Sequence, residues 1–269
     1  ELSKSKGVKL EIIVIDNAST DDSVNQIKKH FPKVKLIANK INLGFAAGNN
    51  QGMRLATGDK ILLLNSDCFV YPNTIAKLPD VDVVGCQLLN PDLSIQASWG
   101  FFPTIRRITQ LMTFVDNFPL VRKFIDSIHV RDVSRYQKMQ EVDWVMGAFI
   151  LLKKTIFEKT GGFDENYFMY GEEMEWLYRI KKAGYKVWFF PEAKAIHLGG
   201  ASTKNIAKMF LSEMQGYIYW FSKHNSKLEQ VLLKYILLFG TLIRIPAWAV
   251  WGKWDKARAY LEVFKALNT

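Results

Sequence analysis

A chain of 269 residues, 49% hydrophobic and 23% charged, has room for one large α/β domain or a domain with an appendage, which excludes a peptide hormone, a small disulfide scaffold, a repeat array and a disordered chain. Its two cysteines, Cys68 and Cys86, lie at the end of or within apolar runs and fit buried thiols in a reducing compartment. The net charge of +10 is concentrated: residues 99–140 carry 7 basic and 3 acidic groups, and residues 203–269 carry 10 and 4. With the aliphatic and Trp content of the tail, that excess points to anionic lipid and away from nucleic acid.

Residues 1–9 are polar and mixed in charge, unlike a signal peptide. Residues 10–15 form a β-branched run followed by Asp16-Asn17-Ala18-Ser19-Thr20-Asp21-Asp22, which predicts strand, loop and helix, with capping-box-like spacing from Ser19 to Asp22. Val24, Ile27, Lys28 and Phe31 keep helical spacing as far as Pro32. Residues 34–38 then read as a second strand, 45–56 as an amphipathic helix closed by Gly58, and 60–64 as a third strand stopping at Asn65-Ser66-Asp67. Three β/α steps in so short a span predict an open, mostly parallel sheet with right-handed crossovers. Beyond Pro91 the pattern loosens, and residues 99–140 are read as a variable helical insert. Residues 142–152 predict a long apolar strand through Gly147. Gly161-Gly162-Phe163-Asp164 is a loop, 172–183 a helix capped by Gly184, and 186–190 a strand ending at Pro191, ahead of Ala195-Ile196-His197 and a Gly199-Gly200 turn.

Five places could carry chemistry. Asp16 and Asp67 end strands, where ligands of open α/β sheets bind; each also reads as a turn or cap residue. The segment Asn42 to Asn50, with Gly44 and Gly48, opens a helix whose free N–H groups can meet an anionic ligand, or simply packs tightly on a strand. On the helical wheel Glu173 shares the apolar stripe with Leu177 and Ile180, Glu172 points with Trp176 and Arg179, and Glu175 faces Arg179 as an ordinary i,i+4 pair. Partial desolvation of Glu173 would raise its pKa toward that of a competent base. His197 reads as metal ligand, phosphate donor or core residue, whereas His30, His129 and His224 read as surface residues.

In order and spacing these segments resemble the family-2 inverting glycosyltransferases, and more narrowly their bacterial rhamnosyltransferase-like branch. Ile13-Val14-Ile15-Asp16-Asn17-Ala18-Ser19-Thr20-Asp21 is similar to the family's first nucleotide-contacting loop, and Asn42 to Asn50 to its Asn-Leu-Gly-Phe-Ala-x-Gly-Asn-Asn segment. Leu64-Asn65-Ser66-Asp67 resembles its metal-binding motif, and Val142-Asp143-Trp144-Val145-Met146-Gly147-Ala148 its acceptor-side strand. Gly161 through Glu173 resembles the segment holding the base, and His197-Leu198-Gly199-Gly200-Ala201-Ser202 the closing His-x-Gly-Gly.

The resemblance implies a GT-A fold, a nucleotide-diphosphate sugar donor (dTDP- or UDP-linked) and Mg²⁺ or Mn²⁺. It implies Asp67 and His197 as metal ligands and Glu173 as catalytic base. Asp16, Asn17, Asn42, Gly44, Gly48, Asn49 and Asn65 would contact the donor, and Trp144, Gly147 and Glu172 would stand on the acceptor side. The family writes Glu-Asp where this chain has Glu172-Glu173, and it opens with a strand and helix ahead of the residue-12 strand. A truncated chain is therefore expected, and a weak or inactive nucleotide-sugar or glycan-binding subunit is the alternative to an enzyme. The expected division is a glycosyltransferase domain over 1–203 and a helical tail over 204–269. In that tail residues 231–251 approach the length of a membrane span but are interrupted by Lys234, Arg244 and Pro246. An interfacial helix with Trp248, Trp251 and Trp254 at headgroup depth fits better, and helices packed on the core or in a homodimer are the alternative. The acceptor is then a glycan or lipid-linked, and the location the cytoplasmic face of the cell membrane.

Overall fold

The computed structural model describes residues 2–199 and 205–268; Gly200, Ala201 and Ser202 of the closing motif lie outside them. The strands are β1 (Ile13–Asp16), β2 (Lys35–Ala38), β3 (Lys60–Leu64), β4 (Cys68–Val70), β5 (Val83–Leu89), β6 (Trp99–Gly100), β7 (Gln140–Glu141), β8 (Trp144–Val145), β9 (Phe149–Lys153) and β10 (Val187–His197). The helices are α1 (Ser23–His30), α2 (Gly44–Leu55), α3 (Ile105–Met112), α4 (Lys154–Thr160), α5 (Glu172–Lys182), α6 (Ile206–His224), α7 (Lys227–Val250) and α8 (Trp254–Asn268).

The central sheet runs β3-β9-β5-β10-β4 with β7 also on β10, while β1-β2 and β6-β8 form separate pairs. It is mixed rather than mostly parallel: β9 runs antiparallel to both β3 and β5, and only β5 and β10 pair in parallel within it. A strand far along the chain inserts between two neighbours in sequence, and local periodicity carries no record of that. β5 is buried at every residue and β9 at four of five, which is why both read as unbroken apolar runs.

Three predicted elements change shape. The expected strand 142–152 breaks into β8 and β9 around Met146–Ala148, where the chain changes partner: Met146 N–H donates to Ser98, next to the β6–β8 pairing, and Ala148 C=O accepts from Asn65, next to the β3–β9 pairing. Pro191 does not end a strand; β10 continues past it through a register shift between Phe190 and Lys194, a bulge that accommodates the missing donor. Within the insert only α3 is an α-helix, joined by three short 3-10 turns.

Trp99, Tyr136, Trp144, Trp176, Leu177 and Phe189 form the principal core together with Tyr217, Trp220 and Phe221 of α6, Leu233 and Leu237 of α7, and Tyr260 and Val263 of α8. The C-terminal helices share this core across residue 203. Arg244, which the sequence presents as an interruption in α7, is buried and donates to the Leu111 and Met112 carbonyls at the end of α3 and to the Tyr260 hydroxyl.

Candidate active site

The turn Met146–Ala148 ties the candidate segments together. A Cβ placed on Gly147 would lie 3.4 Å from the Phe45 ring and 3.7 Å from the Glu173 Cβ, so glycine lets the start of α2 and the start of α5 meet there. The next residue, Ala148, accepts from Asn65 N–H at 3.0 Å and from the Cys68 thiol at 3.4 Å, which brings in the end of β3. Burial pushes the Cys68 thiol up to about 12, with the Asp67 charge adding to it, so it is a packing group and no nucleophile.

At the end of β3, Asp67 Oδ1 lies 3.4 Å from His197 Nε2, and Asn65 Nδ2 lies 3.5 Å from the same nitrogen. The other ring nitrogen, Nδ1, is 2.8 Å from Gln96 Oε1, while Gln96 Nε2 donates to the His197 carbonyl at 3.2 Å and to Asn90 at 3.0 Å. A backbone carbonyl can only accept, so the Gln96 amide is oriented and Nδ1 carries the proton. Burial lowers the His197 pKa, against the pull of Asp67. The neutral ring then turns a lone pair on Nε2 toward a carboxylate oxygen. Two acceptors facing each other fit a cation between them, with an outer partner fixing the tautomer as metal-binding histidines have. Among the described residues no group of three or more His, Cys, Asp or Glu could hold a metal. Two protein ligands suit an ion that takes its remaining oxygens from phosphate and water. Sequence reasoning missed Gln96, whose spacing to His197 carries no local signal.

The carboxylates of α5 divide differently from the helical wheel. Glu172 and Glu175 are both buried, and Glu173 is half-buried. Glu175 is no ordinary surface pair: fully buried, it accepts from Arg179 at 2.9 Å and from Lys223 at 2.6 Å, with His224 Nε2 at 3.5 Å. Lys223 also donates to Asp164 at 2.6 Å. Despite partial burial, Lys223, Asn166 and Tyr219 hold the Asp164 carboxyl down to about 2. Helix α6 thus covers the face of α5 that a local pattern leaves to solvent. Gly216 allows the approach, since a Cβ there would fall 2.7 Å from the Tyr170 carbonyl. Tyr170 and Gly171 both adopt positive φ, 72° and 98°, a strained entry that aims the first turn of α5.

One oxygen of each remaining carboxylate, Glu172 Oε2 and Glu173 Oε2, is buried without a hydrogen-bond partner. Burial raises both pKa values, and the neighbouring Glu173 charge raises Glu172 further. His129 and His224 are not surface residues: His129 stands edge-on to Trp144 at 5.1 Å and 3.8 Å from Glu213, and His224 packs against Tyr178 and Trp220. His129 and Trp144 therefore wall the same side of α5 as Glu173, whose carboxyl feels the His129 ring.

On the first loop, Asp16 is buried and accepts from Ser19 N–H at 3.1 Å. That bond turns the loop four residues ahead of α1, and the Ser19–Asp22 capping box does not form, since Asp22 is the N-cap and makes no side-chain cap. Asn17 donates to the Gly44 carbonyl at 2.8 Å and packs where a Gly48 Cβ would clash at 2.9 Å. Asn42 accepts from Gly44 N–H, and Asn49 donates to Phe45 C=O. Gly44 has φ 85° and no room for a Cβ beside the Phe168 carbonyl, to which Phe45 N–H donates at 2.9 Å. Asn17, Asn42, Gly48 and Asn49 thus spend polar groups or space on the loop itself, and tight packing accounts for both glycines. Asn50, the last residue of the 42–50 segment, is buried and clamps the 162–165 loop through Phe163 and Glu165. An open cleft of about 1150 Å³, lined by Lys6, Tyr71, Lys77, Gln87, Tyr136 and Lys194 among others, includes none of the candidate residues.

The description "Glycosyl transferase family 2" matches residues 2–81. The chain is 25% identical over 215 residues to an N-acetylglucosaminyl-diphospho-decaprenol L-rhamnosyltransferase of Mycobacterium tuberculosis, covering 72% of this chain and 68% of that one. It is 28% identical over 198 residues to rhamnosyltransferase WbbL of Escherichia coli, covering 70% and 72%. Among solved structures, a mannosyltransferase of Pyrobaculum calidifontis, in complex with GDP-Man and Mn²⁺, superposes with a TM-score of 0.55 at 16% identity over 99% of this chain and 80% of that one. That likeness is one of fold, the expected GT-A architecture.

Proposed function

The chain belongs to glycosyl transferase family 2, among its rhamnosyltransferase-like members, and from that premise we propose an inverting transfer of a sugar, rhamnose in the first instance, from a dTDP- or UDP-linked donor to a hydroxyl of a lipid-linked or polysaccharide acceptor. The observation that carries this reading is the orphaned, buried Oε2 of Glu173 beside Gly147. A carboxyl with one oxygen left unpartnered in a desolvated place has its pKa raised toward that of a working base.

Glu173 takes the proton of the acceptor hydroxyl, and the freed oxygen attacks the anomeric carbon from the face opposite the diphosphate. His129 and Trp144 border the acceptor side. Asp16 is assigned to the nucleobase, with Ser19 N–H engaging one of its carboxylate oxygens. Asp67 and His197 would hold a divalent cation, with Asn65 beside them. When bound, that ion neutralises charge on the departing diphosphate. A membrane-peripheral, cytoplasmic location follows if the acceptor is lipid-linked.

Glu173→Gln tests the reading. With a panel of nucleotide sugars, transfer should fall by about 10²–10⁴-fold while donor affinity measured by calorimetry holds. Unchanged turnover would remove the base assignment.

A further inference from the structure

Where α7 is not packed it presents a long apolar stripe. Leu228, Val231, Tyr235, Phe239, Leu242 and Val250 are exposed at helical spacing, while Leu233, Leu237, Gly240, Thr241 and Arg244 bury the opposite face. Over 24 residues the stripe runs for about 36 Å. Beyond the helix Trp251 and Trp254 are also exposed, at the corner between α7 and α8.

That corner reaches the middle insert. Trp248 and Trp251 stand edge-on to Phe114 at 5.5 and 5.3 Å, and Phe114 leads into a segment where Phe118, Leu120 and Phe124 face solvent, Leu120 at 76% and Phe124 at 87% exposure. An apolar surface that extends over two separate stretches of chain calls for a partner.

Basic side chains surround this corner. Lys253 and Lys256 lie over the Trp248 ring at 5.4 and 4.5 Å, Arg131 donates to Asn117, and Arg122 and Lys123 sit between Leu120 and Phe124. Burial, together with the positive charges of Lys253, Arg131 and Arg244, lowers the Lys256 pKa, which reflects how closely the cations gather. Of the nearby acids Asp116 is buried and Asp255 exposed.

We propose that the α7 stripe, the α7–α8 corner and residues 118–124 form one edge that lies in the interface of an anionic bilayer, with aromatic side chains at headgroup depth and basic side chains on lipid phosphate. The charge selects this occupant over a second copy of the chain. A two-fold interface would set the patch against itself, basic groups against basic groups. Lying in the surface also fits better than crossing it. Among the described residues α7 is the one helix long and apolar enough to cross, but Arg244 ties it to α3 and α8, so its buried face belongs to the protein core. The proposal deepens the reading of a lipid-linked acceptor, yet its test needs no turnover.

The full chain should co-float with vesicles of phosphatidylcholine containing phosphatidylglycerol and not with phosphatidylcholine alone, and salt should weaken the binding. Leu120→Ser with Phe124→Ser, and separately Lys123→Glu with Lys253→Glu, should each lower partitioning by roughly ten-fold. Thermal unfolding and nucleotide-sugar binding should stay at wild-type values, which separates failure here from failure of the transferase reading. The proposal is overturned if flotation ignores the 118–124 substitutions, if neither vesicle binds, or if sedimentation shows a wild-type dimer that the Leu120/Phe124 variant dissolves.

Discussion

Glu172 and Glu173 are adjacent carboxyls in a desolvated first turn, and the charge of one opposes ionisation of the other. A base must be deprotonated to act, so a raised pKa displaces the acidic limb of the pH–rate profile upward from the ordinary carboxylate value near about 4.3. The upward shift is larger at Glu172, where the Glu173 charge adds to burial, so Glu173 ionises first beside a neutral Glu172. Glu172→Gln keeps a neutral neighbour and should leave the limb in place, which a profile of kcat/KM against pH reads directly; a limb that moves to lower pH would show a charged Glu172. Gln96 carries a second expectation. Gln96→Leu leaves His197 free to choose either tautomer, and Mn²⁺ affinity in the presence of a nucleoside diphosphate, followed by electron paramagnetic resonance, should drop roughly 10–100-fold. Gln96→Glu keeps an acceptor at Nδ1 and should restore most of it. Asp16, Asp67, Glu173 and His197 stood out in the sequence because each ends or begins an element beside glycine or turn residues. Gln96 did not, since its partner lies 101 residues away and nothing in its neighbours marks the contact; Asn50 lay in a marked segment, but its clamp on Phe163, 113 residues on, left no local sign.

At the scale of elements the sequence located helices well and their surroundings poorly. The bounds of α2 and α5 lie within one residue of expectation, since glycines at both ends and a steady apolar spacing mark them. The wheel for α5 found the Glu175–Arg179 pair but not its burial or its contacts with Lys223 and His224, because a wheel knows only its own helix and α6 packs across that face. The brace this creates can be measured. Lys223→Met leaves Glu175 fully buried with Arg179 and His224 and takes from Asp164 its strongest donor. Breaking a buried pair costs about 3–5 kcal/mol; the Lys223 side chain keeps 29% exposure, so solvent screens part of this and about 2 kcal/mol is expected. Urea denaturation should show the loss as a lower midpoint with an unchanged slope. Because α6 also fixes the strained Tyr170–Gly171 entry through Gly216, kcat should fall more than donor affinity.

At the scale of the whole molecule, the basic, Trp-bearing tail looked like an appendage, and composition supports that division at residue 203. Packing does not follow composition. Tyr217, Trp220 and Phe221 of α6 enter the same core as Trp144, Trp176 and Phe189, Phe102 stacks on Trp220 at 5.6 Å, and Arg244 satisfies carbonyls at the end of α3. Removing residues 204–269 would therefore expose the aromatic floor under α5, strip Glu175 of Lys223 and His224, and leave the α3 carbonyls without the Arg244 donor. Each large aromatic lost from a core costs about 3–5 kcal/mol, and a domain of this size has only about 5–15 kcal/mol to lose. The truncated chain should lack a cooperative thermal transition and near-ultraviolet circular dichroism, while far-ultraviolet signal persists. A monomeric 1–203 fragment that melts cooperatively and binds a nucleotide sugar would show instead that the tail only rests on a self-sufficient domain, and the brace between α5 and α6 would then have to be dispensable for the site.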